Sequence, residues 1–78
     1  MKTYRPIPCQ IYAELELAIM HKAQLRLAWK APDSGPQLDR IQPTDLRTQA
    51  GEEFLLAQDS HGNQLKLRLD YIASFTPL

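Results

Sequence analysis

The sequence predicts an α+β, mainly β protein in which one N-terminal helix precedes about five short antiparallel strands. Two observations support this prediction. Apolar residues recur with the helical period between residues 10 and 21, and the period changes to two from residue 24 onward. Turn-forming residues, most densely the PDSGP run at residues 32–36, separate the alternating segments. Short strands joined by tight turns are typical of a small, strongly bent antiparallel sheet.

Length and composition indicate one small protein without a strong electrostatic field. The chain has 78 residues, and its 9 basic and 9 acidic side chains cancel to a formal net charge of zero. Nucleic-acid-binding modules normally carry a clear positive excess, so the balance weighs against that class. The single cysteine excludes an internal disulfide, as is typical of a reducing cytoplasm. We therefore expect a single domain over residues 1–78 that is cytoplasmic and has no membrane segment.

The predicted helix covers residues 10–21, where neither glycine nor proline interrupts the chain. Pro6 and Pro8 keep the preceding arm extended, because a proline disfavours helix at the residue before it. Leu17 and Met20 lie off the main apolar stripe, so either the helix ends early or its second face also contacts something. The residues that share the main stripe, and that we expect to pack on the sheet, are Ile11, Leu15, Ala18 and Ile19.

Five segments are predicted as strands from their alternation and their flanking turns. They are residues 24–30, 37–42, 54–57, 64–69 and 71–76. Pro43 is expected to end the second strand because it cannot donate a backbone hydrogen bond, and the polar residues 44–52 are expected to form a loop. Gly62 is expected to take a positive φ in the turn before the fourth strand. A sheet that closes into a small barrel, capped by the helix, would leave no exposed strand edge.

The residue types that catalyse reactions or bind metals do not form a recognisable site. His21 and His61 lack the spacing of a zinc site, and we interpret both as surface residues. Cys9 is interpreted as a small buried residue rather than a thiol nucleophile. Glu14 and Glu16 point in divergent directions on a helix, so they do not form a catalytic carboxylate pair. We expect no enzyme activity, and no metal, cofactor or small-molecule substrate.

A basic surface is the first candidate binding site. Four cations share the outward phase of the first and fourth predicted strands, and they are Arg26, Lys30, Lys66 and Arg68. If those strands are neighbours, the four side chains form a stripe that can contact RNA phosphates. The alternative is an ordinary solvated strand face. Trp29 shares the inward phase with Leu25 and Leu27, so we expect it to pack in or near the core rather than to stack on bases.

The exposed side of the helix is the second candidate binding site. Leu17 and Met20 form a small apolar patch that Glu14 and Glu16 flank. An apolar patch with a charged rim is typical of a protein-docking surface. The alternative is that these residues pack against the extended arm at residues 4–9.

Three blocks of the sequence, taken in order, resemble a known bacterial family. The first block contains Tyr4, Pro6, Ile7, Cys9, Tyr12, Leu15, Glu16, Leu17 and Ala18. The second comprises Asp45-Leu46 and Glu53-Phe54-Leu55, and the third is LRLDYIASF at residues 67–75. Together they span nearly the whole chain, and their order resembles the Rof/YaeO family of Rho-binding antiterminators.

The resemblance implies a fold, a partner and a set of site residues. Members of that family inhibit the Rho termination helicase by presenting acidic side chains to its RNA-binding surface. The implied fold is an N-terminal helix that caps a five-stranded Sm-like barrel. The implied docking residues are Glu16, Tyr12 and Tyr4, and the helix pattern adds Glu14, Leu17 and Met20. Gln10 and Ala13 stand where the family has aspartate, which weakens the acidic character of the helix.

Three functions therefore remain open from the sequence. The first is inhibition of Rho-dependent transcription termination by binding Rho. The second is direct RNA binding by an Sm-like protein through the basic stripe. The third is a relative that no longer binds Rho and docks another protein through Leu17, Met20 and Glu16.

Overall fold

The secondary-structure elements follow the predicted order in the computed structural model, which describes residues 4–78. They are α1 at Cys9–Met20, β1 at Leu25–Trp29, β2 at Gln37–Gln49, β3 at Glu52–Gln58, β4 at Gln64–Arg68 and β5 at Ile72–Pro77. A short 3₁₀ turn at Leu69–Tyr71 joins β4 to β5. The prediction of one helix followed by a five-stranded antiparallel sheet is confirmed. No helix within residues 4–78 has the length and apolar character needed to cross a bilayer.

The sheet has the strand order β4-β3-β2-β1-β5, and every neighbouring pair is antiparallel. The long strand β2 lies at the centre, where residues 37–41 pair with β1 and residues 42–49 pair with β3. β5 pairs with the free side of β1, and β4 pairs with the free side of β3. Within residues 4–78 no pairing joins β4 to β5, so the sheet is open and the predicted closure into a barrel is wrong.

Pro43 lies inside a strand, which corrects the predicted end of β2 and the predicted loop at residues 44–52. The ladder with β3 shifts register between Pro43 and Asp45. A proline is tolerated there because the hydrogen-bond ladder is already irregular at a bulge. The loop contracts to a tight turn at Ala50 and Gly51, with φ of 54° and 78°. Positive φ at both positions is typical of the turns that fit the twist of a hairpin.

The helix covers one face of the sheet and closes the core. Leu15 and Ala18 are buried from the helix side, whereas Ile11 and Ile19 are half-buried at its margins. The sheet contributes Leu25, Leu27, Ile41, Leu55 and Ala57 to the same core, and the 3₁₀ turn contributes Leu69. Trp29 is half-buried and packs against this core, as its phase predicts. The second face of the helix stays in solvent.

The helix ends abruptly because Lys22 adopts a left-handed conformation with φ of 54°. The amide of Ala23 then donates to the carbonyl of Ala18 at 2.9 Å, which is the long bond of a Schellman cap. The side chain of Gln42 donates to the carbonyl of Lys22 at 3.0 Å and ties this corner to β2. The turn before β4 behaves as predicted, since Gly62 has φ of 84°.

We expect Leu15→Ala to lower the free energy of unfolding by about 3 kcal/mol, because a fully buried leucine leaves a cavity between helix and sheet. Leu17→Ala is the matched control on the same helix. Its side chain is 53% exposed, so the loss should stay below about 0.5 kcal/mol. Urea unfolding followed by circular dichroism measures both, and equal losses would contradict the orientation of the helix described above.

Candidate protein-binding site

The N-terminal arm and the turn before β5 meet at the side chain of Arg68, the last residue of β4. Its Nε and Nη2 donate to the two carboxylate oxygens of Asp70 at 2.8 and 2.6 Å. Its Nη1 donates to Glu52 Oε2 at 3.1 Å, which adds β3 to the network. The backbone amide of Arg5 donates to Asp70 Oδ2 at 3.0 Å. The arm that leads into α1 is therefore fixed to the turn that leads into β5.

Burial of Arg68 corrects the prediction that its side chain points into solvent, and the Asp70 side chain is buried with it. Their side chains are 9% and 8% exposed. Tyr71 and Tyr4 cover the guanidinium, with ring centroids 4.5 and 5.5 Å from its central carbon. The hydrogen bonds from Arg68 hold the pKa of Asp70 below its ordinary value, and the bonds to Asp70 raise the pKa of Arg68. A buried charge requires such partners, because an unpaired one is strongly destabilising.

Tyrosines and carboxylates lie together beside this network. The Tyr4 hydroxyl donates to Glu53 Oε1 at 3.0 Å, and burial together with this bond raises the pKa of Tyr4 to about 12. The pKa of Tyr12 is also raised, first by burial and then by the negative charges of Glu53, Glu16 and Asp45. The three carboxylates come from β3, α1 and β2 respectively. We call these five residues the acidic face.

The structure separates the helix residues that the sequence analysis grouped into one docking surface. Tyr12 and Glu16 lie one helical turn apart on the flank that faces β2 and β3, and they belong with Tyr4. Glu14 and Leu17 lie on the other flank, where they line a groove next to β5. Met20 is 73% exposed between the two flanks. The predicted set thus contributes to two separate surfaces.

Asp45 and Glu53 are site residues that the sequence reasoning missed. Both belong to the matched blocks Asp45-Leu46 and Glu53-Phe54-Leu55, but nothing along the chain links them to the helix. The β2–β3 register pairs Thr48 with Glu53 and Asp45 with Leu56, so the two carboxylates lie on neighbouring strands but have opposite phase in the ladder. Asp45 also pairs with Arg47 at 3.6 Å. Their presence in the sequence blocks that resemble the family was the signal that could have identified them as site residues.

The four candidate cations do not form a stripe, because the stripe required the first and fourth strands to be neighbours and they are not. β1, which carries Arg26 and is followed by Lys30, is separated from β4 by β2 and β3. Lys66 donates to Gln49 Oε1 at 2.6 Å and lies 4.5 Å above the ring of Phe54. Arg68 is buried in its ion pair. Arg26 instead lies opposite Arg40 on β2.

The residues considered for metal binding or nucleophilic catalysis lie apart. Among residues 4–78, no group of three or more histidine, cysteine, aspartate or glutamate side chains is arranged to hold a metal ion. His21 and His61 are exposed, as interpreted from the sequence. Cys9 is also exposed, which corrects its predicted burial. The helix begins at Cys9, and this residue lies on the side of the first turn that faces away from the core.

Comparison with known proteins identifies the family. No family model matches the chain. It is 38% identical over 74 residues to "Protein rof" of Escherichia coli strain K12, and the alignment covers 95% of this chain and 82% of that relative. "Protein rof" of Shigella flexneri gives the same values. The chain belongs to the Rof family. The family resemblance drawn from the three sequence blocks is therefore confirmed.

One solved structure supports the fold of this Rof-family chain. The proteasome accessory factor B/C (PafBC) of Arthrobacter aurescens superposes with a TM-score of 0.80 over 97% of this chain, at 22% sequence identity. The matched region is 12% of that much longer protein. At this identity the similarity concerns the fold alone.

We expect Asp70→Asn to lower the melting temperature by roughly 10 °C near neutral pH, because Arg68 stays buried with one carboxylate fewer. The depressed pKa of Asp70 gives the pH dependence. Its contribution to stability is complete above the ordinary value of 3.8 and is lost as the pH falls through the lower folded value. Thermal unfolding measured across this pH range should show that the difference in melting temperature between wild type and variant becomes smaller in acid. A difference in melting temperature that did not depend on pH would show that the ion pair is not its cause. Asp33→Asn, at an exposed position, is the control.

Tyr4 should ionise with a pKa of about 12 in the folded protein, against an ordinary value of 10. Because the folded state favours the neutral phenol, this contribution to stability is complete below the ordinary value and declines as the pH rises through the folded value. Ultraviolet absorbance of the phenolate measures the titration. Tyr4→Phe should reduce the late component of the curve by one tyrosine, and an unchanged curve would refute the assignment.

Proposed function

We propose that this Rof-family protein acts by binding rather than by catalysis, and that its partner is the Rho termination helicase. By occupying the RNA-binding surface of Rho in the bacterial cytoplasm, it would reduce Rho-dependent termination of transcription. Family membership supports the choice of partner, because Rho binding is what the resemblance implies. The acidic face supports the mode of binding.

The observation that carries this proposal is that three carboxylates contribute negative charge to the surroundings of Tyr12. Glu16, Asp45 and Glu53 come from three different elements, and all three raise the pKa of the same phenol. A surface that binds RNA presents lysines and arginines to phosphates, and clustered carboxylates are complementary to it. Tyrosine rings beside the carboxylates can also receive a guanidinium through cation–π contact. The zero net charge of the chain is compatible with this local concentration of negative charge.

The positions that lack the family's aspartates lie away from this face. Gln10 and Ala13 are exposed. Relative to Tyr12 they are rotated by about 200° and about 100° around the helix axis, at about 100° per residue. Their replacement therefore removes charge from the outer surface of the helix. The carboxylates around Tyr12 are unaffected.

The RNA-binding alternative loses its structural basis in the described residues. It required a continuous stripe, and Arg68 is instead enclosed by Asp70, Glu52 and two aromatic rings. The third alternative was docking of another protein through one surface containing Leu17, Met20 and Glu16. Glu16 and Leu17 lie on different flanks of the helix, so they do not form that single surface. Rho binding through the acidic face is the function that we retain.

The purified protein should compete with a fluorescent oligocytidine for Rho. Glu16→Lys should raise the concentration needed for half-maximal competition by at least about tenfold, because it places a cation against a cationic surface. Asp33→Lys makes the same change of charge in the exposed turn between β1 and β2 and should have little effect. Fluorescence anisotropy measures both, and added salt should weaken the competition.

Two outcomes would refute the proposal. Failure of the wild-type protein to compete at low salt would exclude occupation of the RNA-binding surface. Equal effects of Glu16→Lys and Asp33→Lys would attribute the competition to net charge rather than to the acidic face.

A further inference from the structure

An apolar groove runs between α1 and β5, on the flank of the helix opposite the acidic face. Two cavities of about 350 and 400 Å³ form it, and Glu14 and Phe75 line both. Ile11 and Ile72 add apolar walls to the first cavity, and Leu17 borders the second. The two cavities therefore adjoin at Glu14 and Phe75, and together they follow the helix.

One wall of the groove is an open strand edge. Four consecutive residues of β5, residues 72–75, line the first cavity. Successive side chains of a regular strand point to opposite faces, but the irregular pairing at Ala73 interrupts this alternation and allows all four residues to border one cavity. β5 pairs with β1 on its other side and has no second strand neighbour within residues 4–78. Backbone donors and acceptors on this edge are thus available to an added strand.

The lining specifies the side chains of an occupant. The groove walls are mainly apolar, and Glu14 is the one carboxylate among the described lining residues. Leu17, which is 53% exposed, would become covered by a bound segment. An occupant complementary to this surface has apolar side chains along the groove and a cation that reaches Glu14.

We infer that this groove binds an extended apolar segment of another protein, which adds a strand to β5 and places a lysine or arginine against Glu14. An added strand would form hydrogen bonds with the backbone donors and acceptors on the open edge of β5, and the side-chain pockets would determine the specificity. The site is distinct from the acidic face and does not depend on Rho binding.

A foreign segment fits the groove better than the other edge strand of a second copy. The apolar side chains of β4, Leu65 and Leu67, already pack against the core of their own molecule. Lys66 is engaged by Gln49 and by the ring of Phe54. β4 therefore has no free apolar side chain with which to fill the groove.

The geometry of β5 limits the length of the added strand. The pairing of β5 with β1 is irregular between Ser74 and Ile72, which leaves Ala73 as the extra residue of a bulge. Pro77 has no amide hydrogen to donate. Regular strand addition is thus confined to residues 74–76, and we expect such a short contact to bind weakly.

A titration of the isotope-labelled protein by nuclear magnetic resonance tests this inference. The probe is a blocked pentapeptide of sequence Val-Thr-Arg-Thr-Val, and its control carries glutamate in place of arginine. The arginine peptide should shift the backbone amides of Ser74, Phe75 and Thr76 and bind at least about fivefold more tightly than the control. Glu14→Gln should remove this preference, whereas Asp33→Asn should preserve it. Both positions are exposed, so neither variant threatens the fold.

Three results would overturn the inference. The first is an absence of shifts in β5 at millimolar peptide. The second is equal binding of the two peptides, which would exclude Glu14 as the specificity contact. The third is a concentration-dependent shift of the same amides without peptide, which would show that a second copy occupies the edge.

Discussion

The ion pair between Arg68 and Asp70 is the interaction on which the arrangement of this protein depends. It holds the arm before α1 against the turn before β5, through the amide of Arg5, and Glu52 links the same guanidinium to β3. Burying two charges costs desolvation energy, so such a pair defines position more than it adds net stability. The position it defines is the start of the helix. That start determines which flank of α1 meets β2 and β3.

Two surfaces of different chemistry result from this placement of one helix. The flank with Tyr12 and Glu16 meets carboxylates from the sheet, whereas the flank with Glu14 and Leu17 leaves a gap beside β5. The first surface is charged and suits a cationic partner. The second is apolar and offers backbone hydrogen bonds. A helix that buries a single narrow stripe, centred on Leu15 and Ala18, can present both at once.

Local pattern predicted the helix, the alternating strands and the positive φ of Gly62, because these depend on neighbours along the chain. It failed at Pro43, where tolerance of a proline depends on the register with β3. It also failed at Arg68, whose alternation indicated solvent, because Glu52 and Tyr4, which help to enclose its side chain, are distant in the sequence. Resemblance to the Rof family supplied Tyr4, Tyr12 and Glu16. The contribution of Asp45 and Glu53 required the strand order, which no periodicity encodes.

The two left-handed residues, Lys22 and Ala50, have a consequence for the evolution of this protein. A residue with a β-carbon pays roughly 1 kcal/mol for that conformation, and glycine or asparagine would relieve it. Neither position belongs to the acidic face or to the groove. Glycine at either corner would therefore raise the stability of the fold, and that gain would offset a destabilising substitution on either binding surface while partners diverge.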